Sequence, residues 1–497
     1  MGAPLAIIGA IGACAREARR YESGMKILRT CTGLAGTALL LATAGASAAP
    51  SENPTAIILS APASSAAAAA EQGDDIAWSI VEDLTTEIGP RMAGTEAESA
   101  ARRWAMSRLK SMGFFNVREE RFDMPVWVRG TEEAWLTDPF LPQKLTIAAL
   151  GNSASTGPNG IEGTIAAFAS FDELAAAPDG EVKGRIVFVD NQMEPTQDGS
   201  GYGYYGRGRF NGPNVAAKKG AKAIVIRSIG TDSHRNPHTG VTSFDAGVKS
   251  IPAGALSNPD ADQLVRQWNR TQTGAAADQL QIKLVLTPQN LGTKQSGNVI
   301  AEVPGSDPAA SPVIIACHLD SWDLGTGAID DAAGCGIITA AAKHVMTASQ
   351  PRRTIRILWA GAEEVGVFGG KAYFDAHGKE KHAVALESDF GADRVWRIDF
   401  KLPDSAKALS DRIAAAVMPF GVVRGRQPAN GGADIGALVQ AGVPAVDLAQ
   451  DGTRYFDIHH TPDDTLDKVD PAQLRQNVVV WTAVLAILAN SSDSELP

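Results

Sequence analysis

The stretch Val313 to Gly336, with the sequence VIIACHLDSWDLGTGAIDDAAGCG, decides how the rest of the chain is interpreted. It begins with five apolar or small residues, typical of a buried strand in a parallel sheet, and this strand delivers His318 and Asp320 to its end. A glycine-rich loop then leads to Asp330 and Asp331, where an Ala-rich segment without proline predicts a helix. Open α/β sheets bind ligands at the carboxyl ends of their strands, so these imidazole and carboxylate groups indicate a zinc site. An N-capping Asp beside a structural histidine is the alternative that this stretch alone leaves open.

Strand and helix patterns alternate in the part of the chain that follows Ser296. Strands are predicted at 298–303, 313–318, 354–360, 383–387, 396–401 and 445–448, and helices at 331–348, 370–377, 405–417 and 471–490. Such alternation predicts an α/β fold, with a mostly parallel sheet sandwiched by helices.

Further polar side chains stand at the ends of the neighbouring predicted strands. Glu363 and Glu364 follow strand 354–360, and adjacent carboxylates suit a division of labour in which one binds a metal and the other handles protons. A Glu pair on a solvated turn is the alternative, but Asp389 follows the next strand end in the same way. Near the carboxyl terminus, the adjacent His459 and His460 supply the remaining imidazole that a second metal would need.

The amino-terminal residues have the pattern of a targeting segment. Within residues 1–48, a basic region with Lys26 and Arg29 precedes an apolar run and an Ala-Ser-Ala cleavage site, which predicts an upstream extension, a start at Met25 and a cleaved signal peptide. The protein is therefore expected to be exported, either to the periplasm or out of the cell. Residues 49–73 are rich in Ala, Ser and Pro and predict a disordered linker.

Charge and hydropathy argue against a nucleic-acid-binding protein and a membrane span, and few cysteines follow the leader. The net charge is −11, and losing residues 1–48, with five basic and two acidic side chains, would make it −14, which argues against nucleic-acid binding. No apolar run reaches the length of a membrane span. Only Cys317 and Cys335 follow the leader, and we expect them to be buried thiols and not a disulfide bridge.

Composition shifts near Gly151 and again at 287–297 divide the rest of the chain. We predict the first part of the main domain at 74–150, a β-rich insert at 151–290, and the second part, which carries the metal site, at 291–490. Within the insert, strands are predicted at 163–169, 184–190, 223–227 and 280–286. The insert is expected to act as a lid or to shape substrate binding, without chemistry of its own.

Two motifs in the insert suggest sites that their context does not support. Residues 201–206 satisfy GxGxxG, but they do not directly follow a strand and no apolar helix opens after them, so we predict a mobile Gly/Tyr loop and no dinucleotide site. His234 and His238 have the spacing of a zinc helix, but Pro237 lies between them, so we expect loop histidines.

Four sequence strings, taken together, resemble a known family. HLDSWDLGTGAIDDAAG, AEEVG, ESDFG and HHTPDDT occur in this order, as in the co-catalytic di-zinc aminopeptidase family, and they are most similar to its carboxypeptidase Q branch. The likeness covers nearly all of residues 75–490 and includes the PHTG and IPA strings of the insert, which resembles a protease-associated domain. The resemblance implies the zinc-exopeptidase fold with this domain inserted.

The resemblance also implies a metal centre with two Zn²⁺ ions per chain. The five implied ligands are His318, Asp330, Glu364, Asp389 and His460. Asp330 would bridge the ions, with His318 and Asp389 completing one site and Glu364 and His460 the other. His460 is preferred to its neighbour because the family ligand stands four residues before an Asp-Thr pair.

Three further residues receive catalytic or supporting roles from the same resemblance. Glu363 would be the general base for a water molecule shared by the two ions, Asp320 would orient the ring of His318, and His459 would polarise the substrate. Asp331 would be a helix cap and not a ligand. Candidate substrate contacts are Trp322, Asp323 and Asp434, each with a structural role as the alternative.

The function that these residues imply is that of an exported, zinc-dependent exopeptidase acting on short peptides, with dipeptides as the expected substrates. Three alternatives stay open: a non-catalytic peptide-binding protein of the same fold, an aminopeptidase on longer peptides, and single-zinc glutaminyl cyclase chemistry. The relatives further suggest a homodimer. The carboxylate-rich ligand set would also accept manganese or cobalt.

Overall fold

The computed structural model describes residues 61–71, 75–137, 141–272 and 280–496. The predicted upstream extension and signal peptide at 1–48 lie outside these residues. The described part of the chain contains two eight-stranded sheets, with helices packed against them.

The strands are numbered in chain order. They are β1 Phe115–Val128, β2 Glu132–Leu136, β3 Gln143–Leu145, β4 Ile147–Ala149, β5 Ile161–Phe168, β6 Ile186–Val189, β7 Ala223–Arg227, β8 Ala253–Leu256, β9 Gln281–Leu286, β10 Gln289–Val303, β11 Val313–His318, β12 Ile355–Ala360, β13 Val384–Glu387, β14 Val395–Lys401, β15 Val423–Arg424 and β16 Ala445–Gln450.

The α-helices are numbered in the same way. They are α1 Ala61–Glu71, α2 Ile76–Asp83, α3 Glu96–Ser111, α4 Phe171–Ala176, α5 Asp179–Val182, α6 Tyr202–Tyr205, α7 Arg207–Phe210, α8 Gly212–Lys218, α9 Asn258–Thr271, α10 Ala333–Ala348, α11 Phe368–His377, α12 Lys407–Val417, α13 Gly436–Gln440, α14 Tyr455–Ile458 and α15 Pro471–Ala489. A π-helical turn precedes α10 at Ala328–Ala332, and another follows α2 at Leu84–Ile88.

The first sheet has the order β1-β10-β12-β11-β13-β16-β14-β15. Its central strands β12, β11, β13 and β16 are parallel, whereas β10 is antiparallel to both β1 and β12. Strand β14 pairs antiparallel with β16 and parallel with β15. The side chains of β11 alternate between the two faces: Ile314 and Ala316 pack with α11 and α13, and Ile315 and Cys317 pack with α10 and α15. The α/β fold with helices on both faces is thus confirmed, and burial on both sides explains why β11 is apolar throughout.

The second sheet has the order β3-β2-β9-β5-β6-β7-β8-β4. Strands β5, β6, β7 and β8 form a parallel core, with β2, β3, β4 and β9 antiparallel at the edges. Strands β2, β3 and β4 all precede Gly151, because the chain enters this sheet at Glu132. The start predicted for the insert therefore does not coincide with the start of the second sheet.

Part of the segment predicted to be a disordered linker is a helix. Helix α1 spans residues 61–71, with Ala67 and Ala70 buried, and it packs against α15 and α10. Disorder is wrong for these residues, because Ala has the highest helix propensity and its small side chain allows close packing. The rest of 49–73 lies outside the described residues.

By length and composition, one described helix, α15, is apolar enough to cross a membrane, but 83% of its apolar window is buried inside the protein. It packs against α1, α10 and α12. Such burial is typical of a core helix in a globular protein, so α15 is weak evidence for a membrane span.

The Gly/Tyr segment is helical where the sequence analysis predicts a loop. Helices α6 and α7 follow each other directly, and the amide of Tyr205 donates to the carbonyl of Gly201, as does that of Gly206 to Tyr202. Both Gly201 and Gly206 have helical φ values, of −69° and −56°. The glycines therefore allow close packing here and do not break the helices. His234 and His238, in contrast, lie in a loop as predicted.

Cys317 and Cys335 form a disulfide, with their Cα atoms 5.1 Å apart. The prediction of two buried thiols is wrong. The chain runs from β11 through a loop into α10, which packs back on β11, and this return brings the first turn of the helix beside the end of the strand. The Cα separation lies within the ordinary range for disulfides.

We predict that replacing both cysteines with alanine lowers the free energy of unfolding by about 3 kcal/mol, because the bridge closes a loop of 18 residues in the unfolded chain. Chemical unfolding of the wild type and of Cys317→Ala/Cys335→Ala measures this difference. The wild type in reducing agent is the control, and an unchanged midpoint in both experiments would show that the bridge does not form.

Candidate metal centre

The predicted site residues lie together at the carboxyl edge of the first sheet. His318 is the last residue of β11 and pairs in register with Ala360 of β12, so Glu363 and Glu364 emerge beside it. Asp389 comes two residues after β13, the other neighbour of β11. The parallel strands bring these side chains together because their carboxyl ends share one edge.

Asp330 occupies the middle of this cluster. Its Oδ1 atom lies 2.9 Å from Nε2 of His318, which is also 3.3 Å from Oδ1 of Asp389. Its Oδ2 atom lies 3.2 Å from Nε2 of His460, which is 2.9 Å from Oε2 of Glu364. The two oxygens of Asp330 thus face two different imidazole–carboxylate pairs, one oxygen to each pair.

Both imidazole rings are held with Nε2 turned towards the cluster. Nδ1 of His318 lies 3.0 Å from the main-chain carbonyl oxygen of Asp320, and Nδ1 of His460 lies 3.2 Å from that of Thr239. A carbonyl can only accept a hydrogen bond, so Nδ1 carries the proton and the Nε2 lone pair is free in each neutral ring. This arrangement is the one that metal-binding histidines commonly show.

The donor set fits zinc. Oδ2 of Asp330 is buried and accepts no hydrogen bond, so this oxygen is left without the partner that a buried carboxylate needs. The contacts between imidazole nitrogen and carboxylate oxygen, at 2.9 to 3.3 Å, are close to the separation of about 3.3 Å between ligands of a tetrahedral zinc ion. Several overlapping groups of three side chains in the described chain have ligand atoms within 4.8 Å of one another.

The cluster is strongly acidic, and its ionisable groups shift one another's pKa values. Burial raises the pKa of Glu363 well above its ordinary value, and Asp389 adds to this effect. Burial, followed by the charge of Asp330, raises the pKa of Glu364 to about 7. Burial by itself would lower the pKa of His460, but Glu364 and Asp330 raise it to about 9. So many buried carboxylates require positive charge, which a divalent cation would supply.

Asp320 contacts the site differently from the predicted arrangement. Its main-chain carbonyl holds the ring of His318, whereas its carboxylate oxygen is 3.8 Å from Nδ1 of that ring. The carboxylate accepts instead from the amides of Glu363 and Glu364, at 3.0 and 3.3 Å. Asp320 therefore links the ends of β11 and β12 and positions the two glutamates.

His459 and Asp331 lie beside the cluster. The ring of His459 stacks on that of His460 with centroids 3.5 Å apart, and its Nε2 is 3.4 Å from Oδ2 of Asp330. Burial lowers the pKa of His459 well below its ordinary value, so this ring stays neutral. Asp331 accepts from the amide of Gly334 in the first turn of α10, at 3.0 Å, as a capping residue does.

The three candidate substrate contacts have partners of their own. Trp322 is buried, with its ring edge-on to Trp127. Asp323 pairs with Arg129 at 2.8 Å, and Asp434 accepts from the amide of Gly370 at 3.1 Å. None of the three candidates lines the cavity that opens onto the metal cluster.

That cavity has a volume of about 530 Å³, within the range of small-molecule sites. The metal-facing carboxylates and both adjacent histidines line it, together with Tyr202 and Arg209 of α6 and α7. Burial raises the pKa of Tyr202 to about 12, so its hydroxyl keeps its proton. Neither residue was predicted from the sequence, although the density of aromatic and basic side chains in GYGYYGRGRF is a signal that points to them.

Arg91, in the GPRMAG string at residues 89–94, is a buried scaffold residue. Its guanidinium donates to the main-chain carbonyls of Leu319, Thr326 and Gly327 at 2.5, 2.6 and 2.9 Å. These bonds fix the loop between β11 and Asp330 and so set the position of the central carboxylate.

Comparison with known proteins places the chain among peptidases. A family model described as peptidase family M28 matches residues 298–485. The chain is 32% identical to carboxypeptidase Q of Mus musculus over 418 residues, which cover 83% of this chain and 85% of that protein.

Two solved structures are similar as well. The peptidase M28 precursor from Shewanella amazonensis SB2B is 44% identical, with a TM-score of 0.82 over 86% of this chain and 96% of that one. A zinc aminopeptidase from Bacillus subtilis is 20% identical, with a TM-score of 0.59 over 85% of this chain and 97% of that one, and it shows the fold alone.

We predict that Asp330→Asn lowers the zinc affinity at least about tenfold, because an amide cannot offer an anionic oxygen to both imidazole groups. Metal content after dialysis, measured by mass spectrometry, tests this expectation. Asp393→Asn is the matched control, since Asp393 lies four residues after Asp389 and pairs with Arg454 at the surface. Full metal content in Asp330→Asn would show that the central carboxylate is not a ligand.

Proposed function

The chain belongs to peptidase family M28 and is a metallo-exopeptidase, and from this premise we propose that it binds two Zn²⁺ ions and hydrolyses short peptides, dipeptides in particular. The observation that supports two ions is the position of Asp330, whose oxygens face His318 on one side and His460 on the other. A single ion would leave one of these groups without a cation.

The proposed ligands follow from the distances in the cluster. His318 and Asp389 would hold one ion, Glu364 and His460 the other, and Asp330 would contact both. When bound, zinc at this site polarises the scissile carbonyl and lowers the pKa of a water molecule. A mixed imidazole and carboxylate set also accepts manganese or cobalt, and zinc is proposed because a solved structure with this fold is a zinc aminopeptidase.

Glu363 is the proposed general base. It lines the cavity, and the amide hydrogen bond to Asp320 fixes its main chain beside the metal-facing groups. Its carboxylate would accept a proton from the attacking water and return it to the nitrogen of the leaving amine. This role leaves Glu364, the adjacent residue, free to face the metal.

His459 is proposed to polarise the substrate. It is neutral and lines the cavity, and its buried Nδ1 has no hydrogen-bond partner within the described ranges. A neutral imidazole can donate one hydrogen bond to the oxygen on which negative charge develops. Asp320 is proposed to be a positioning residue, since it orients His318 and both glutamates.

Further properties are proposed from the sequence and the relatives. Residues 1–48 would be an upstream extension and signal peptide that directs export to the periplasm or the medium, and the insert that carries the second sheet would be a protease-associated domain. We further propose a homodimer. An aminopeptidase acting on longer peptides is the second candidate function, because a solved structure with this fold is a zinc aminopeptidase.

We predict that Glu363→Gln lowers turnover about 10²- to 10⁴-fold while the zinc content stays unchanged, because the change removes proton transfer and no ligand. Glu364→Gln, the neighbouring substitution, is expected to lose metal as well. Metal content and hydrolysis of dipeptides, tripeptides and aminoacyl anilides by residues 49–497 measure both effects.

Each outcome of this experiment has a distinct meaning. An active Glu363→Gln would assign the base to another residue. A wild type without metal and without hydrolysis of any substrate would contradict the proposed function and favour a peptide-binding protein. Faster cleavage of longer peptides and anilides than of dipeptides would favour the aminopeptidase.

A further inference from the structure

Arg129 lies where the chain passes from the first sheet into the second. It follows β1, which ends at Val128, and precedes β2, which begins at Glu132. Its side chain is only 11% exposed, and it pairs with Asp323, on the loop after β11, and with Glu132, on the second sheet. One guanidinium thus holds a carboxylate from each side of this crossing point.

All three nitrogens of this guanidinium donate hydrogen bonds. Nε donates to the carboxylate of Asp323 at 3.0 Å, and Nη1 donates to the main-chain carbonyl of Ala149 at 2.8 Å. Nη2 donates to the hydroxyl oxygen of Thr239 at 3.0 Å, and that hydroxyl donates in turn to the carbonyl of Ala149. Thr239 is fully buried, so Arg129 fixes it through a hydrogen bond from a charged group, which is stronger than one between neutral groups.

Thr239 contacts the segment that carries the adjacent histidines. Its amide donates to the carbonyl of His460 at 3.0 Å, and its carbonyl accepts from Nδ1 of the same residue at 3.2 Å. These two hydrogen bonds set both the main chain and the ring of a proposed ligand. A carbonyl that keeps Nδ1 protonated leaves Nε2 free for a cation, so the position of Thr239 bears directly on metal affinity.

The other partner of Arg129 leads to the second ligand of the same proposed ion. Asp323 is preceded by Trp322, whose amide donates to Oε1 of Glu364 at 3.3 Å. A displacement of Asp323 would therefore move an amide that orients Glu364. His460 and Glu364 together make up the His460 site, and Arg129 contacts a residue that supports the first ligand and the neighbour of one that supports the second.

The other proposed ion, bound at the His318 site, has supports of a different origin. The ring of His318 is held by the main-chain carbonyl of Asp320 at 3.0 Å, and its amide donates to the carboxylate of Asp331 at 3.1 Å. Both supports come from the loop and the turn that follow β11, and not from the second sheet. The two proposed ions therefore differ in how far their ligands depend on the insert.

We propose that Arg129 is a positioning residue for the His460 site alone, and that through Thr239 and Asp323 it couples the packing of the second sheet to zinc binding there. The His318 site fills without it. This inference rests on the proposed function for the presence of two ions. It gives the insert, which is expected from the sequence to have no chemistry of its own, a part in assembling the metal centre.

The test measures the zinc affinity of each site separately. The wild type and each variant are stripped of metal and titrated with zinc against a chromophoric chelator, which yields the stoichiometry and a dissociation constant for each ion. Arg129→Met replaces the guanidinium by an unbranched apolar side chain. Arg121→Met is the matched control, because Arg121 lies on β1, is exposed and pairs with Glu119.

Arg129→Met is expected to raise one zinc dissociation constant about 10- to 100-fold and to leave the other unchanged, as the loss of an outer partner of a metal ligand does. Arg121→Met should leave both unchanged. In a Glu364→Gln background, which already lacks the His460 site, Arg129→Met should have no further effect. In an Asp389→Asn background, which lacks the His318 site, it should weaken the remaining ion by the same factor.

Two substitutions of Thr239 separate positioning from folding. Thr239→Ser keeps the hydroxyl that Arg129 contacts, so both ions should bind as in the wild type. Thr239→Val keeps the shape and loses the hydroxyl, so it should raise the same dissociation constant as Arg129→Met does. Thermal unfolding of the metal-free variants shows whether the fold is intact, and the Thr239 pair tests the inference even where Arg129→Met fails to fold.

Three results would overturn the inference. Equal weakening of both ions in Arg129→Met would show that Arg129 supports the whole centre and not one site. Wild-type affinity for both ions in Thr239→Val would show that the hydroxyl positions no ligand. A wild type that binds fewer than two ions would overturn the inference and the two-zinc centre together.

Peptide hydrolysis by the wild type tests the proposed function separately. Two ions bound with the expected dependence on Arg129, but without hydrolysis of any peptide, would keep the positioning role and contradict the peptidase.

Discussion

The structure of the site depends on the carboxylate of Asp330, which is held between the imidazoles of His318 and His460. One histidine ends a central strand of the first sheet, and the other lies in the loop after α14. A buried carboxylate is stable only when its oxygens have partners, so the position of Asp330 depends on the two histidines that face it. The loop that carries Asp330 is in turn fixed by the three hydrogen bonds of Arg91.

The second sheet contributes directly to this centre. The carbonyl of Thr239 accepts from His460 and from Arg209, so one main-chain group orients a proposed ligand and a side chain that lines the cavity. Tyr202 and Arg209 line the same cavity as the metal-facing carboxylates. The resulting cavity has four carboxylates and one arginine among its described lining residues.

Much of the fold was predictable because its signals are local. An apolar strand such as Val313–His318, buried on both faces, is recognisable from consecutive residues, and so are the polar residues at its end. The errors concern properties that depend on distant contacts. The Ala-rich helix α1 is packed against α15, and the Gly/Tyr segment folds into α6 and α7 beside Phe456, whose ring stacks on that of Tyr202. The Cys317–Cys335 bridge forms because α10 returns to β11.

The sequence by itself determined the α/β class, the order of the strands and helices around the site, and the side chains that gather there, because each follows from short-range pattern or from motifs in one order. Only the tertiary structure decided that Asp320 positions the glutamates through their amides, that Trp322 and Asp323 have partners outside the cavity, and that Arg209 enters it. Those features depend on which side chains pack against one another in the folded chain. The side chains in contact can be hundreds of residues apart in the sequence, so their contacts are set only when the chain has folded.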